Sequence, residues 1–332
     1  DYISMSVGYN YIDSHTEKIN NIKQFFIDIM PDEEDREYLL TLIGSFLIGT
    51  NYEEIYSIFT GGMRNGKSTL TNILMYTLGD YYGDIQNTLL TKERPGAGTA
   101  QPELIEIAKK RIIISSENEA GQKINTGFIK QLTGNDRVKG RKLFSNDIVT
   151  YIPQFKLVSL FNDIPEVDKP NDIAFWNRCK CLHFQVKFTD NPKEINEKKI
   201  NKNLKEEIKT WGPDCMLYFI SYCKKYKEIG LTYTKKILDK TKDFEKNNNP
   251  YENYVDNYIK KDVSALVQWS QLKINFCDWY IENVSKDIPK SKEIKDYFEK
   301  KVFKETEKVV RNKENEAFRG WKGWKIIDDN DL

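Results

Sequence analysis

Hydrophobic residues near the N-terminus recur at the spacing of a helix. Acidic residues follow Pro31 directly, and acids in a first turn complement the positive end of a helix dipole. The apolar positions that continue this pattern form one stripe: Tyr38, Leu39, Leu42, Ile43, Phe46 and Leu47. We therefore predict a small helical unit over residues 1–50.

Short apolar runs alternate with helical patterns from residue 55 to about residue 188. This alternation is typical of an α/β domain with a largely parallel sheet. A short helix is predicted over 102–109, after a glycine-containing loop at 94–99. The predicted strands are 55–60, 84–90, 111–116, 156–161 and 180–188.

The remainder of the chain is predicted to be mostly helical. Residues 192–247 have helical patterns, and the Asn-rich run 245–250 has the composition of a linker. Two helices and then two strands are predicted at 269–284, 291–302, 309–310 and 318–327. Helices followed by a two-stranded ribbon suggest a winged-helix-like module. The predicted domains are 1–50, 51–190, 191–250 and 251–332.

A glycine-rich segment joins the first predicted strand to the helical pattern that follows it. Residues 61–68 read Gly-Gly-Met-Arg-Asn-Gly-Lys-Ser, a complete G-x4-G-K-S motif. Strand, glycine loop and helix form an arrangement in which backbone N–H groups cradle a polyphosphate. Lys67 would reach the β- and γ-phosphates, and the Ser68 hydroxyl would ligate Mg²⁺. The alternative is a glycine-rich turn that matches by accident.

This motif predicts that the chain binds a nucleoside triphosphate. The predicted nucleotide-binding residues are Gly61, Gly62, Met63, Arg64, Asn65, Gly66, Lys67, Ser68 and Thr69.

Acidic residues follow the apolar strand at 111–116. A phosphate loop needs a carboxylate at the end of a neighbouring strand to hold the metal and position water. Glu117 is the first candidate for that role, including the metal, and Glu119 is the second. The alternative is a surface acid at a strand end, which is common.

Two polar residues at the ends of other elements are further candidates. Asn162 ends the strand at 156–161 and could contact the γ-phosphate or the attacking water; alternatively it begins the turn at 162–165. Arg178 lies just before the last strand, where an arginine finger could reach a neighbouring subunit. The alternative for Arg178 is a salt bridge or a surface position.

A basic segment precedes the β-prone run at 148–152, and together they predict a hairpin. Its cations at alternate positions and an aromatic near the tip suit phosphate contact and base stacking. A solvated hairpin face is an equal alternative. The candidate DNA-binding residues are Lys139, Arg141, Lys142 and Phe144.

The amino-acid composition indicates the environment of the protein more than it indicates the function. A charged fraction of 30% and a mean hydropathy of -0.64 fit a soluble protein, and no run approaches a membrane span or a signal peptide. Five scattered cysteines and only two histidines argue against a zinc site. We expect reduced thiols and no membrane association. The net charge of +1 does not by itself indicate a nucleic-acid partner.

The order of these motifs resembles the superfamily 3 helicases, in particular the helicase part of viral primase-helicases. Poxviruses and other large nucleocytoplasmic DNA viruses have such proteins, with relatives in phages and plasmids. The segments that carry the resemblance are 31–37, 61–69, 111–117, 130–136, 140–144, 155–157, 162–165, 176–178 and 318–324. The chain departs from the family in having Asn135 where a second glycine is usual and Asn177 where a second arginine is common.

The resemblance implies an AAA+-like P-loop core in a homo-hexameric ring that hydrolyses ATP with Mg²⁺ at subunit interfaces. Such a ring moves 3′ to 5′ along one strand of forked DNA, and the hairpin lines its pore. A primase domain is expected upstream or in a separate chain. The expected location is a replication site: a viral factory in the cytoplasm, the nucleus or a bacterial cytoplasm.

Two other functional classes remain open. One is a DNA-binding initiator or packaging ATPase that uses ATP only as a switch and does not unwind DNA. The other is a small-molecule P-loop kinase, against which the long C-terminal extension and the lack of an evident acceptor site argue.

Overall fold

The computed structural model describes residues 4–91, 101–116, 123–141, 148–284, 286, 288–304, 309–311 and 317–327. The chain forms two compact units, residues 1–244 and 245–332. The finer four-part division stays a prediction.

Helices and strands alternate through most of the first unit. In chain order its elements are α1 Lys18–Ile29, α2 Glu33–Ser45, β1 Tyr56–Thr60, α3 Lys67–Leu78, β2 Tyr82–Gln86, α4 Thr88–Thr91, α5 Pro102–Glu106, β3 Ile112–Ser116, α6 Thr126–Thr133, β4 Val138–Arg141, β5 Ile148–Tyr151, β6 Lys156–Phe161, α7 Ile173–Arg178, β7 Cys179–His183, β8 Lys187–Thr189, β9 Glu197–Lys199, α8 Leu204–Glu207, α9 Gly212–Ile229 and most of α10 Lys235–Asn248, whose last four residues belong to the second unit.

A five-stranded parallel sheet in the order β2-β3-β6-β1-β7 organises this unit. β1 lies between β6 and β7, and all five of its residues are buried. Because the strands are parallel, their carboxyl ends share one edge, where an α/β sheet places its ligands. The protein thus has a mixed α/β fold with a parallel sheet, consistent with a P-loop-like core.

Side-chain alternation along β1 builds a hydrophobic core on each face of the sheet. Tyr56 and Ile58 join the cluster that contains Phe128 and Phe175. Phe59 points the other way and joins the cluster that contains residues of α1, α2, α3 and α9. The helices α1 and α2 therefore share a core with the sheet.

The start of α2 follows from its sequence. The Asp32 carboxylate accepts a hydrogen bond from the Asp35 N–H at 3.0 Å, which caps the helix, and acids occupy the first turn.

The second unit contains helices and an antiparallel sheet. Its elements are α11 Pro250–Tyr258, β10 Ile259–Gln268, α12 Trp269–Asn283, α13 Ser291–Tyr297, β11 Val309–Arg311 and β12 Ala317–Ile326. The strands pair in the order β10-β12-β11. The core is strongly aromatic, with Tyr251, Tyr254, Phe276, Phe298 and Trp321 all buried.

Several predicted boundaries were wrong. The predicted strand 84–90 ends at Gln86, because the buried Asn87 begins a helical turn and its carbonyl accepts the Leu90 N–H at 2.8 Å. The predicted strand 180–188 divides into β7 and β8, because the chain leaves the sheet after Phe184 to pass the glycine loop.

The predicted linker 245–250 is helical instead. α10 continues to Asn248, and the Asn249 side chain caps α11 by accepting from the backbone N–H groups of Tyr251 and Glu252 at 3.1 and 3.4 Å. The strand β10 was not predicted, because the adjacent residues Lys260 and Lys261 interrupt the alternation of apolar and polar positions.

No helix among the described residues has the length and apolar character needed to cross a bilayer.

Candidate nucleotide-binding site

The glycine loop, residues 61–66, connects the carboxyl end of β1 to the first residue of α3. Gly61 and Gly66 have φ angles of 136° and 88°, a region that favours glycine. A Cβ atom at Gly66 would lie 2.5 Å from Cγ2 of the buried Ile29, and one at Gly61 would lie 2.3 Å from the Phe184 carbonyl oxygen. Only glycine therefore fits at these two positions without movement of the surroundings.

The chain that leaves β7 supports the loop from behind. The Phe188 N–H donates to the Arg64 carbonyl at 2.7 Å. The Asn65 amide donates to the Phe184 carbonyl at 3.4 Å, and its oxygen accepts from the Lys67 N–H at 3.4 Å. These contacts fix the backbone of the loop.

Lys67 is the central cation of the loop and is only 6% exposed. Its Nζ donates to the carbonyl oxygens of Gly61 at 2.6 Å and Gly62 at 3.2 Å, and to Oδ1 of Asn162 at 3.4 Å. Within the described part of the chain, no carboxylate forms an ion pair with it. Burial lowers the pKa of Lys67 to about 8. A buried ammonium that only neutral oxygens contact is a site for an anion.

A cavity of about 300 Å³ opens beside Lys67. It is lined by Gly62, Met63, Arg64, Asn65, Gly66, Lys67, Ser68, Thr69 and Asn162. The structure thus brings together eight of the nine predicted nucleotide-binding residues, and Gly61 lies next to them at the end of β1.

Asn162 reaches this cavity because β6 pairs with β1. Phe161, the last residue of β6, pairs with Thr60, the last residue of β1. The Thr60 hydroxyl donates to the Asn162 carbonyl at 3.4 Å, which fixes the backbone, while the side chain points to Lys67. The structure therefore brings Asn162 to the loop.

The predicted carboxylates Glu117 and Glu119 lie outside the described residues. In the sequence they follow β3, which pairs with β6. The Ser68 side chain is exposed at the first turn of α3. No group of three or more His, Cys, Asp or Glu side chains in the described ranges could hold a metal. The residues present fit a Mg²⁺ bound mainly through phosphate oxygens and water, with one protein hydroxyl.

Arg178 lies at the opposite end of the sheet. It ends α7, and the next residue, Cys179, pairs with Tyr56 at the start of β1. Its guanidinium forms a salt bridge with Glu54 and donates to the Ala174 carbonyl at 2.8 Å. The structure does not bring Arg178 to the Lys67 of its own chain.

The predicted hairpin is formed by β4 and β5, which pair from Val138↔Tyr151 to Arg141↔Ile148. Lys139 is exposed, whereas Arg141 is half-buried. Lys142 and Phe144 lie outside the described residues. DNA contact by this hairpin stays a prediction.

Comparisons with known proteins find relatives in large DNA viruses. A protein named "Putative helicase" in Acanthamoeba polyphaga mimivirus is 33% identical over 320 residues, which cover 91% of this chain and 33% of that protein. The chain is a homologue of proteins named as helicases in large DNA viruses. A protein named "Putative primase" in African swine fever virus is 22% identical over 273 residues, covering 78% of this chain and 28% of that protein.

The chain spans about a third of the length of these relatives. No family profile matches it. Among solved structures, the apo C-terminal region of NrS-1 superposes with a TM-score of 0.53 at 13% identity, covering 96% of this chain and 78% of that one. At that identity the likeness shows the fold alone.

Sequence reasoning missed the residues that shape the loop from outside the motif. His183 pairs with Thr60 at the edge of the sheet beside the loop, and its Nδ1 is buried with no hydrogen-bond partner in the described structure. Burial, and then the charges of Lys240 and Lys67, lower the pKa of His183. The sequence contained no signal for this residue, because His183 lies inside the predicted strand 180–188.

Proposed function

We propose that this chain is the motor part of an ATP-dependent DNA helicase of superfamily 3, with an AAA+-like core. The observation that carries the proposal is Lys67, a buried cation that only neutral oxygens contact, at the mouth of an open cavity. The names of the viral relatives support a helicase rather than another ATPase.

Each residue of the cavity has a role in this proposal. The loop N–H groups and Lys67 hold the β- and γ-phosphates, and Lys67 stabilises charge that develops during phosphoryl transfer. Ser68 ligates Mg²⁺, which neutralises phosphate charge when bound. Asn162 contacts the γ-phosphate or the attacking water. Glu117, with Glu119 behind it, polarises that water.

Phosphate binding changes the contacts of Lys67. Its ammonium donates to the carbonyls of the loop and to Asn162. An incoming phosphate offers a charged acceptor, which forms stronger hydrogen bonds than a neutral carbonyl does. In that exchange Oδ1 of Asn162 loses its donor and becomes available to accept a hydrogen bond from the attacking water, while its Nδ2 can donate to the γ-phosphate.

A second copy of the chain completes the site. Arg178 lies at the end of β1 remote from the loop, and a five-residue strand spans roughly 13 Å. We infer that Arg178 acts as an arginine finger on the nucleotide of a neighbouring subunit in a hexameric ring. The hairpin cations then track DNA phosphates in the pore.

The proposal extends to the whole protein. One relative is named a primase, so a primase domain is proposed in the same polypeptide or as a partner chain. Translocation is proposed to run 3′ to 5′ at an intracellular replication site. The second unit is proposed to be a winged-helix-like module.

The test is DNA-stimulated ATPase activity and unwinding of forked DNA by the wild type, Lys67→Ala and Glu117→Gln. We expect both variants to lose hydrolysis and unwinding, and only Lys67→Ala to lose ATP binding. Full unwinding by Glu117→Gln would overturn the assignment of this carboxylate. ATP-dependent DNA loading without unwinding by the wild type would favour a switch protein instead.

A further inference from the structure

The antiparallel sheet of the second unit carries exposed lysines on two paired strands. Lys260 of β10 lies directly across from Lys325 of β12, and both are exposed. Like charges directly opposite each other in a sheet repel, and the Asp262 carboxylate, whose pKa is lowered by its hydrogen bonds and then by Lys325, offsets part of this repulsion. The next pair along the ribbon is Lys261 and Trp324.

A protruding loop follows these pairs. Between Lys261↔Trp324 and Leu266↔Lys322, the four residues 262–265 of β10 face only Gly323, which has a φ angle of 83°. The Asp262 carboxylate stabilises the loop by accepting from the Ser264 N–H at 2.9 Å and hydroxyl at 2.7 Å. Val263 is therefore 98% exposed at its tip.

The cations around this loop differ from three ion-paired cations in the same unit. Lys246, Lys300 and Arg319 each form an ion pair with a carboxylate. In the described ranges, Lys260, Lys261 and Lys322 form none, and all three are exposed. The Lys261 Nζ instead lies 5.5 Å from the centroid of the half-buried Trp324 ring. This cation–π contact positions an ammonium without neutralising it.

β10 is the outer strand of the described sheet, and consecutive side chains of a strand point to opposite faces, so Lys260 and Lys261 lie on either side of its outer edge. We propose that this surface, the lysine ribbon formed by Lys260, Lys261, Lys322, Val263 and Trp324, binds the phosphodiester backbone of single-stranded nucleic acid that runs along this edge. The lysines contact successive phosphates and release counterions, and Val263 and Trp324 contact the sugar or the base. The choice of nucleic acid over another polyanion rests on the proposed function. Binding at the ribbon needs no ATP.

The experiment measures binding of a fluorescent oligo(dT) of about 20 nucleotides to the full chain without nucleotide, between about 50 and 200 mM NaCl. We expect Lys260→Ala/Lys261→Ala to weaken binding at least about fivefold and to reduce the slope of log affinity against log salt by about 1.4, because each lost contact to a single strand removes about 0.7. The matched control is Lys224→Ala/Lys227→Ala, two exposed lysines of α9 that form no ion pair within the described chain.

A conservative variant separates charge from structure. Lys260→Arg/Lys261→Arg keeps both charges and should bind like the wild type. An equal loss in the α9 control, or an unchanged salt slope in the alanine variant, would overturn the proposal. Equally tight binding of poly-glutamate to the ribbon would overturn nucleic acid as the ligand. A ribbon-dependent salt slope in a protein without ATPase or unwinding activity would retain this site and reject the proposed function.

Discussion

Replacing Lys67 with methionine should change how the stability of the ligand-free protein depends on pH. Methionine keeps an unbranched, mostly apolar side chain but removes the charge. Burial lowers the pKa of Lys67 from its ordinary 10.5 to about 8. This shift means that at neutral pH the buried charge of Lys67 lowers the free energy of unfolding by about 3 kcal/mol.

The direction of the pH effect follows from proton binding. Below pH 8 the folded wild type carries the full cost of the buried charge. Between about pH 8 and pH 10.5 the unfolded state binds more protons at Lys67 than the folded state does, so the free energy of unfolding rises with pH. Lys67→Met lacks this rise. The wild type should therefore gain up to about 3 kcal/mol relative to the variant between about pH 7 and pH 10.

The assay is urea denaturation of the wild type and the variant at both pH values, without nucleotide. Lys156, whose pKa burial also lowers to about 8, contributes to both proteins and cancels in their difference. Lys67→Arg, which stays charged at both pH values, is the control. A stability difference that is the same at both pH values would refute the claim that the ammonium is desolvated.

Separately, Mg·ATP should raise the thermal midpoint of the wild type but not of Lys67→Met.

Three further predictions concern the loop and its surroundings. Gly66→Ala should destabilise the fold by about 2–4 kcal/mol in chemical denaturation and abolish ATP binding. The reason is that the new methyl group strains the left-handed backbone and collides with Ile29. Unchanged stability would contradict the tight contact between these two residues. Asn162→Ala should retain ATP binding in calorimetry but reduce turnover at least about tenfold, and normal turnover would exclude a contact of Asn162 with the γ-phosphate or the attacking water during hydrolysis. Glu54→Gln should destabilise the chain by at most about 1 kcal/mol, because its ion pair with Arg178 is partly exposed. It should alter ATPase activity only at concentrations at which the protein assembles. An equal change in activity in the dilute monomer would argue that Arg178 does not act on a neighbouring subunit.

Much of the fold could be predicted because the central strands are long apolar runs. The strand at 156–161 was predicted with its observed bounds, and those at 55–60 and 111–116 differ by one residue. The errors occur where polar residues decide the backbone. Asn87 and Asn249 each begin a helical turn through hydrogen bonds that a pattern of hydrophobicity does not contain.

The candidate site was predictable as far as the motif reaches. Lys67 and Asn162 are far apart in sequence, and the expectation that they act together required only that their strands pair. The support for the loop could not be predicted in this way. Ile29 and Phe184 act through close contacts with glycine positions, which depend on the path of the chain rather than on residue type.

From the position of Arg178 we infer that each chain contributes to two different ATP sites. It supplies the glycine loop of one site and Arg178 to another. The loop and Asn162 lie at the carboxyl end of β1, whereas Arg178 lies at its amino end, where Glu54 neutralises it. No side-chain rotation spans a strand of roughly 13 Å. Under the proposed function the contact between copies must therefore be head-to-tail, joining the Arg178 end of one chain to the loop of the next. Such heterologous contacts generate closed rings when the rotation between copies closes. The Glu54 salt bridge would then have to break or shift on assembly, so an isolated chain should bind ATP but hydrolyse it slowly.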